Sequence, residues 1–201
     1  MRVLARKRPI FHSEADFQHA LAWELHSQLP ESEVRLELPI ESSGNALHLD
    51  LWLSAPGRAV AIELKYKTRS LSVKLNGESF SLKSHSAQDV GRYDFLRDIQ
   101  RIERIVSSHP GTRGYAILLT NDSSYWKPSS DIKTVDGAFR LHEGRSVEGT
   151  LAWGSNAAPG TIRSREKPIT LVGTYKIIWK EYSKVGSSSY GAFRYLALSV
   201  G

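Results

Sequence analysis

Asp50, Glu63 and Lys65 are the residues whose types and spacing most directly imply chemistry. Two runs carry them: Leu47-His48-Leu49-Asp50-Leu51-Trp52-Leu53 and Ala59-Val60-Ala61-Ile62-Glu63-Leu64-Lys65-Tyr66. Both alternate apolar and polar residues as half-buried strands do. Ser54-Ala55-Pro56-Gly57 separates them, and Pro-Gly is a turn signal, so the runs read as an antiparallel hairpin. With Pro56 and Gly57 at the centre of the turn, Ala55 pairs with Arg58, Asp50 stands opposite Glu63, and His48 stands opposite Lys65. Opposed residues have Cβ atoms about 4.5–5.5 Å apart, and like charges there repel. A divalent cation with oxygen ligands relieves that repulsion, and Lys65, two residues beyond Glu63, points to the same place. A longer loop would shift this register, whereas the alternation of faces survives it. Leu49, Leu51 and Leu53 then share one face and His48, Asp50 and Trp52 the other. In the second strand Ala61, Glu63, Lys65 and Lys67 oppose Val60, Ile62, Leu64 and Tyr66. The plain alternative is a solvated sheet face with a weak Glu63–Lys65 ion pair.

Composition narrows the chemistry. The chain has 201 residues, enough for one well-cored domain. Hydrophobic residues make up 40% and charged residues 24%, which excludes wholesale disorder, and no run approaches the roughly 18 apolar residues of a membrane span. The opening Met1-Arg2-Val3-Leu4-Ala5-Arg6-Lys7-Arg8-Pro9 is basic and lacks the apolar stretch of a secretory signal. Cysteine is absent, so a metal site must use oxygen or imidazole, which fits a hard cation and a cytoplasmic protein. The seven histidines show no H-x-x-x-H pairing, which argues against a zinc hydrolase. Lys and Arg number 27 against 21 Asp and Glu, and the resulting charge of +6 suits a polyanionic partner.

Other elements must position the hairpin. Ser13-Glu14-Ala15-Asp16 has the form of a capping box, and Phe17, Leu21 and Leu25 follow at helical spacing, which predicts a helix ending at Leu29-Pro30. Glu24 borders its apolar stripe. Val34 to Ile40 alternates as a strand, and Ser42-Ser43-Gly44-Asn45 turns the chain into the Asp50 strand. Thr68 to Ser86 is polar and reads as an exposed excursion with a small hairpin at Asn76-Gly77. A long helix is predicted from Ala87 to Ser107, with Phe95, Ile99, Ile102 and Val106 on its buried stripe. Gln88 and Arg92 continue that stripe into the first turns, while Asp94, Arg97, Asp98 and Arg101 supply exposed ion pairs. Gly114 to Thr120 reads as a strand buried on both faces and reached by a crossover. Residues 121–168 show no assignable pattern, and Leu171 to Tyr182 and Ala192 to Val200 read as two late strands.

The order helix, three strands, helix, strand, with Asp50 in the second strand and Glu63-Leu64-Lys65 in the third, resembles the PD-(D/E)XK nuclease superfamily. Twelve residues separate the two acids, and the Pro of the family name is missing before Asp50. The resemblance implies an α/β (α+β mixed-sheet) fold, a restriction-endonuclease-like αβββαβ core with additional C-terminal strands. The chain then divides into a basic N-terminal arm (1–12), a nuclease-like core (13–125) and a C-terminal extension (126–201), loop-rich before two strands that pack on the core. Asp50, Glu63 and Lys65 are the implied catalytic residues, and Asp50, Glu63 and the Leu64 backbone oxygen the implied ligands of Mg2+, for which Mn2+ substitutes. Glu24 is the best match for an acid that the first core helix adds in some branches, with Glu14 second. Gln88 matches a helical Gln of some branches, although Tyr93 follows it by five residues rather than four. Gln88, Arg92, Arg69 and Lys67 are the expected substrate contacts, with Lys74, Lys83 and the arm residues Arg2, Arg6, Lys7 and Arg8 as further phosphate-binding cations.

The implied activity is metal-dependent hydrolysis of phosphodiester bonds in nucleic acid, DNA first, with no membrane partner. A homodimer, and a helicase or other protein partner, fit the same resemblance. The alternative is a nuclease-fold module that binds DNA or protein without cutting.

Overall fold

The computed structural model describes residues 1–42, 45–129 and 134–201, and the turn expected at Ser43-Gly44 lies outside them. Two helices come first, α1 (Arg2–Lys7) and α2 (Glu14–Gln28). α2 begins where capping chemistry places it: Ser13 is extended and its hydroxyl accepts the Asp16 N–H at 3.1 Å. Strands β1 (Glu33–Ser42), β2 (Asn45–Ala55) and β3 (Arg58–Lys67) form the antiparallel meander, and Ala55 pairs with Arg58 as the turn requires. Strands β4 (Leu71–Leu75) and β5 (Glu78–Leu82) make a separate hairpin on Asn76 and Gly77, both with the positive φ that a two-residue turn demands. Helix α3 (Gln88–Ser108) then carries the chain to β6 (Thr112–Thr120), which lies parallel to β3.

The remaining elements are β7 (Ser146–Leu151), the short α4 (Pro159–Ile162), β8 (Ile169–Lys176), β9 (Trp179–Lys184) and β10 (Ala192–Val200). The strand expected from Leu171 to Tyr182 divides at Ile177 and Ile178. β8 pairs with β7 in a two-stranded sheet, while β9 joins β10. The main sheet therefore has six strands in the order β1-β2-β3-β6-β10-β9, mixed because β3 and β6 run parallel while the other neighbours are antiparallel. The last two strands, β9 and β10, complete the main sheet.

Alternation along β3 divides the core. Ile62, Leu64 and Tyr66 meet Phe17 and Leu21 of α2. On the other face α3 lays Phe95, Leu96, Ile99 and Ile102 against Ala116 and Leu118 of β6 and Leu196 and Leu198 of β10, with the β7–β8 pair on its far side. Gly114 permits this close approach, since a Cβ there would collide with Ile102 and crowd Val106. α3 is thereby held over the centre of the sheet.

Two expectations are corrected. The N-terminal arm is not free: Leu4, Ile10 and Phe11 are buried in the α2-side core, Lys7 pairs with Glu24 at 2.7 Å, and Arg8 pairs with Asp16 at 2.8 Å. The excursion from Thr68 to Ser86 is likewise anchored, with Leu71, Phe80 and Leu82 in the same core. In each case alternate apolar residues in a polar-looking stretch have a face to bury, worth about 1.5–3 kcal/mol per large side chain. Among the described residues no helix is long and apolar enough to cross a membrane.

Candidate active site

β2 and β3 stay paired from their turn to Leu51 and Ile62, and there the ladder stops. The expected cross-strand pairs Asp50–Glu63 and His48–Lys65 are not made. On its other side β2 pairs with β1 at Leu51 and Leu49, but Glu37, opposite Asp50, takes a left-handed backbone with φ of 51°. Asp50 is thus released by both neighbours at one point, and its polar groups find other partners. Its carbonyl accepts Gln18 Nε2 at 2.7 Å, and Gln18 also donates to Glu37 Oε1 at 2.7 Å. Its carboxylate Oδ2 accepts the Leu64 N–H at 2.6 Å. Two residues along β3, the Tyr66 N–H donates to Glu14 Oε2 at 2.6 Å. The edge of β3 that β2 leaves is therefore occupied by the carboxylates of Asp50 and Glu14, which satisfy its backbone donors in place of a strand. The break also ends the expected alternation: Leu51 and Leu53 pack on the α2 side, whereas Leu49 clusters with Ala61 and Ile105.

Glu63 and Lys65 face α3, and α3 answers them with Asp98 and Arg101. Lys65 Nζ lies 2.7 Å from Asp98 Oδ2, Arg101 Nη2 is in direct contact with Glu63 Oε2, and the same nitrogen lies 3.4 Å from Asp98 Oδ1. Lys65 Nζ also donates to the Leu64 carbonyl at 3.3 Å. An acid and a base two apart on the strand thus meet an acid and a base three apart on the helix, crosswise. Glu63 is 1% exposed and Asp98 8% exposed. Asp98 and Arg101 were expected in exposed ion pairs; instead they form the roof of the site. A sequence signal for this exists: Gly91, Phe95, Asp98, Ile102 and Ile105 repeat at four- and three-residue steps, and all are buried. An acid holding one slot of an otherwise apolar stripe needs a partner below it.

Burial is the dominant electrostatic influence here. It pushes Glu63 up to about 9, with the Asp98 and Asp50 carboxylates adding to the rise while Arg101 and Lys65 oppose it. Burial raises Asp50 as well, against the Leu64 N–H and the Lys65 charge, which favour its ionised form. Burial works against the Lys65 ammonium, yet Asp98, Glu14 and Asp50 outweigh it and hold Lys65 above the ordinary lysine value. Lys65 is a permanent cation at neutral pH.

The remaining sequence-predicted residues divide. Glu24 does not reach the site: it lies ten residues beyond Glu14 on α2, about 15 Å by helical rise, and is bound to Lys7 and Gln28. Glu14, the second choice, is the helix acid that faces Asp50 and Lys65. Gln88 and Arg69 converge on Asp122 past the end of β6, Gln88 Nε2 at 2.9 Å and Arg69 Nη1 at 4.0 Å, and Arg69 also stacks over Tyr190. Lys67 lies at the end of β3 beside Gly91 of α3. Arg92 is withdrawn from any substrate: it is 3% exposed, with Nη1 on Asp136 at 2.7 Å and Nη2 on the Ser124 carbonyl at 2.8 Å. An arginine on a buried stripe is accommodated by pairing it inside the protein. Trp52 packs edge-on to His109 at the far end of α3.

The oxygen donors suit a hard divalent cation. Asp50 and Glu14 bring carboxylates to the Leu64 and Tyr66 amides on either side of the Leu64 carbonyl, and Glu63 Oε1 is buried with no hydrogen-bond partner among the described residues. With Asp98 included, four acids face the two cations Lys65 and Arg101, an excess of two negative charges when all are ionised. Among the described residues, however, no three His, Asp or Glu side chains already converge as an ion cage, since these acids are turned to backbone amides and to the bases of the site. No family model matches the chain, and neither does any curated protein or solved structure.

Proposed function

We propose that this protein is a metal-dependent nuclease that hydrolyses phosphodiester bonds, most directly those of DNA. One observation carries the reading: β2 and β3 part at Leu51 and Ile62, and there the Asp50 carboxylate takes the Leu64 N–H next to the buried Glu63, with the Lys65 ammonium on the Leu64 carbonyl. The resemblance to the PD-(D/E)XK superfamily supports it through the same residues and through the order α2, β1, β2, β3, α3, β6, into which the separate β4–β5 hairpin is inserted after β3. Asp50 and Glu63, with Leu64 O and Glu14, would hold Mg2+ or Mn2+. When bound there, the cation supplies Lewis-acid neutralisation of the phosphate and lowers the pKa of water. Lys65, held cationic by Asp98, would stabilise charge developing on the phosphate or orient the attacking water. Burial of Glu63 excludes competing solvent from the donor set. Arg69, Lys67 and Gln88, at the ends of β3 and β6, flank the route a backbone would take across the site.

The crosswise Lys65–Asp98 and Arg101–Glu63 pairing favours a second reading, a module of the same fold that binds DNA or protein without cutting, because it neutralises the buried charges without any ion. One assay separates the two. Plasmid, linear and branched DNA are incubated with the protein and Mg2+, Mn2+ or EDTA, with Lys65→Ala as control. Cleavage that needs the metal and disappears in Lys65→Ala is the expected result. Binding that ignores EDTA, with no cleavage of any substrate, rejects the nuclease reading for the second one.

A further inference from the structure

Arg101 projects from the middle of α3 into the acids of the site. Its Nη2 holds Glu63 Oε2 and stands 3.4 Å from Asp98 Oδ1, but Asp98 commits its other oxygen more closely to Lys65, at 2.7 Å. The Arg101 Nε–H is buried without a hydrogen-bond partner among the described residues, as is Glu63 Oε1. A guanidinium has five donors in a fixed fork, and a carboxylate gains most when two of them engage it in parallel. The contact is made at Nη2 while Nε stays unpaired, so Arg101 meets Glu63 without the side-on pair of bonds that would anchor it. Its side chain is also more exposed than its partner, 23% against 1%, which leaves it a way out toward solvent.

A divalent ion and a guanidinium cannot both sit against one buried carboxylate without strong repulsion, because the low local dielectric magnifies like-charge interactions as much as favourable ones. On the reading that the site takes a divalent cation, we propose that Arg101 is its resident stand-in: it occupies Glu63 Oε2 in the cation-free protein and is displaced from it when the cation takes Glu63 in its ionised form, remaining tethered by Asp98. Arg101 is then a positioning residue that sets the affinity of the site for metal.

The test uses the whole chain. Calorimetric titration with Mn2+ is made on the wild type, Arg101→Gln, Arg101→Lys and Asp50→Asn, and the Arg101 Nε–H resonance of the wild type and of Asp50→Asn is followed by NMR during titration with Mg2+. Arg101→Gln is expected to bind Mn2+ about tenfold more tightly than the wild type, since a competing charge has gone. Arg101→Lys restores the wild-type affinity, and the Arg101 signal moves with Mg2+ in the wild type but not in Asp50→Asn. Equal or weaker Mn2+ binding by Arg101→Gln overturns the proposal, and so does an Arg101 signal that stays still while the ion binds. If Arg101→Gln does not fold, the wild-type NMR titration decides alone. Failure of the exchange leaves Asp50-dependent ion binding intact, whereas a wild type that binds neither ion removes the metal reading and this proposal together.

Discussion

The two halves of the β2–β3 hairpin share one pair of strands and follow different rules. From Leu51 and Ile62 to the Pro56-Gly57 turn, the strands are laddered, and Leu51, Leu53 and Ile62 are buried under α2. Beyond Leu51 and Ile62, the strands separate, and the hydrogen bonds are made by Asp50, Glu14 and Gln18 while the charges are answered from α3. The laddered half is a local structure, closed by its turn. The open half is assembled by groups from α2 and α3 that are distant in sequence. Polar chemistry is concentrated where regular pairing gives out, because a carboxylate between two fully bonded strands has no free backbone groups or space for a ligand to use.

The sharpest way to break this contrast is at Asp50. Asp50→Asn keeps an oxygen for the Leu64 N–H and removes one of two neighbouring acids, so stability in EDTA should match or exceed the wild type while metal-dependent cleavage falls at least about a hundredfold. Chemical denaturation and initial cleavage rates measure the two effects, and full cleavage by this variant would sink the site. In the laddered half the outcome should reverse. Leu53→Ala is expected to cost about 2–5 kcal/mol in urea unfolding while the cleavage rate per folded molecule stays near the wild-type value. A smaller effect separates Glu14 from Glu24 on α2. Glu14→Gln should weaken Mn2+ binding about tenfold, the lower end of the range for groups that support a metal site, whereas Glu24→Gln should leave it unchanged. Equal effects of the two changes in calorimetry would mean that α2 does not contribute a specific acid.

The smallest effect is a slope. Glu63 is pushed up to about 9 from an ordinary value of 4.5. Between those values the native state holds a proton that the unfolded chain has lost, so stability in EDTA should fall as pH rises, by at most about 1.4 kcal/mol per pH unit from this group. Glu63→Gln should flatten the profile. A stability that stays flat over the same interval, measured by thermal unfolding in matched buffers, would show that Glu63 is ionised throughout by its contact with Arg101.

Much of the scaffold was legible because its signals are local. Ser13 as cap, Asn76-Gly77 as a two-residue turn, the Ala55–Arg58 register and the helix that begins at Gln88 all follow from residues within a few positions of one another. The polar stretches misled for a physical reason: in Thr68 to Ser86 and in the first twelve residues, the few apolar side chains decide packing and the many polar ones remain at the surface. Asp98 and Arg101 were read as a surface pair because i, i+3 opposite charges are common on exposed helix faces. Nothing local distinguishes such a pair from one placed over Glu63 and Lys65.

The sequence by itself determined which groups are present: two acids and a lysine on adjoining strands, hard oxygen donors with no thiol, and a turn that sets the register of the hairpin. Tertiary structure decided what surrounds them. The parting of β2 from β3, the left-handed Glu37, the choice of Glu14 over Glu24 and the roof of Asp98 and Arg101 all depend on how α2 and α3 cross the sheet. Periodicity along a chain records which side of an element is buried. The pairing of charges between elements depends on their relative placement, which is set by packing such as that of α3 against Gly114.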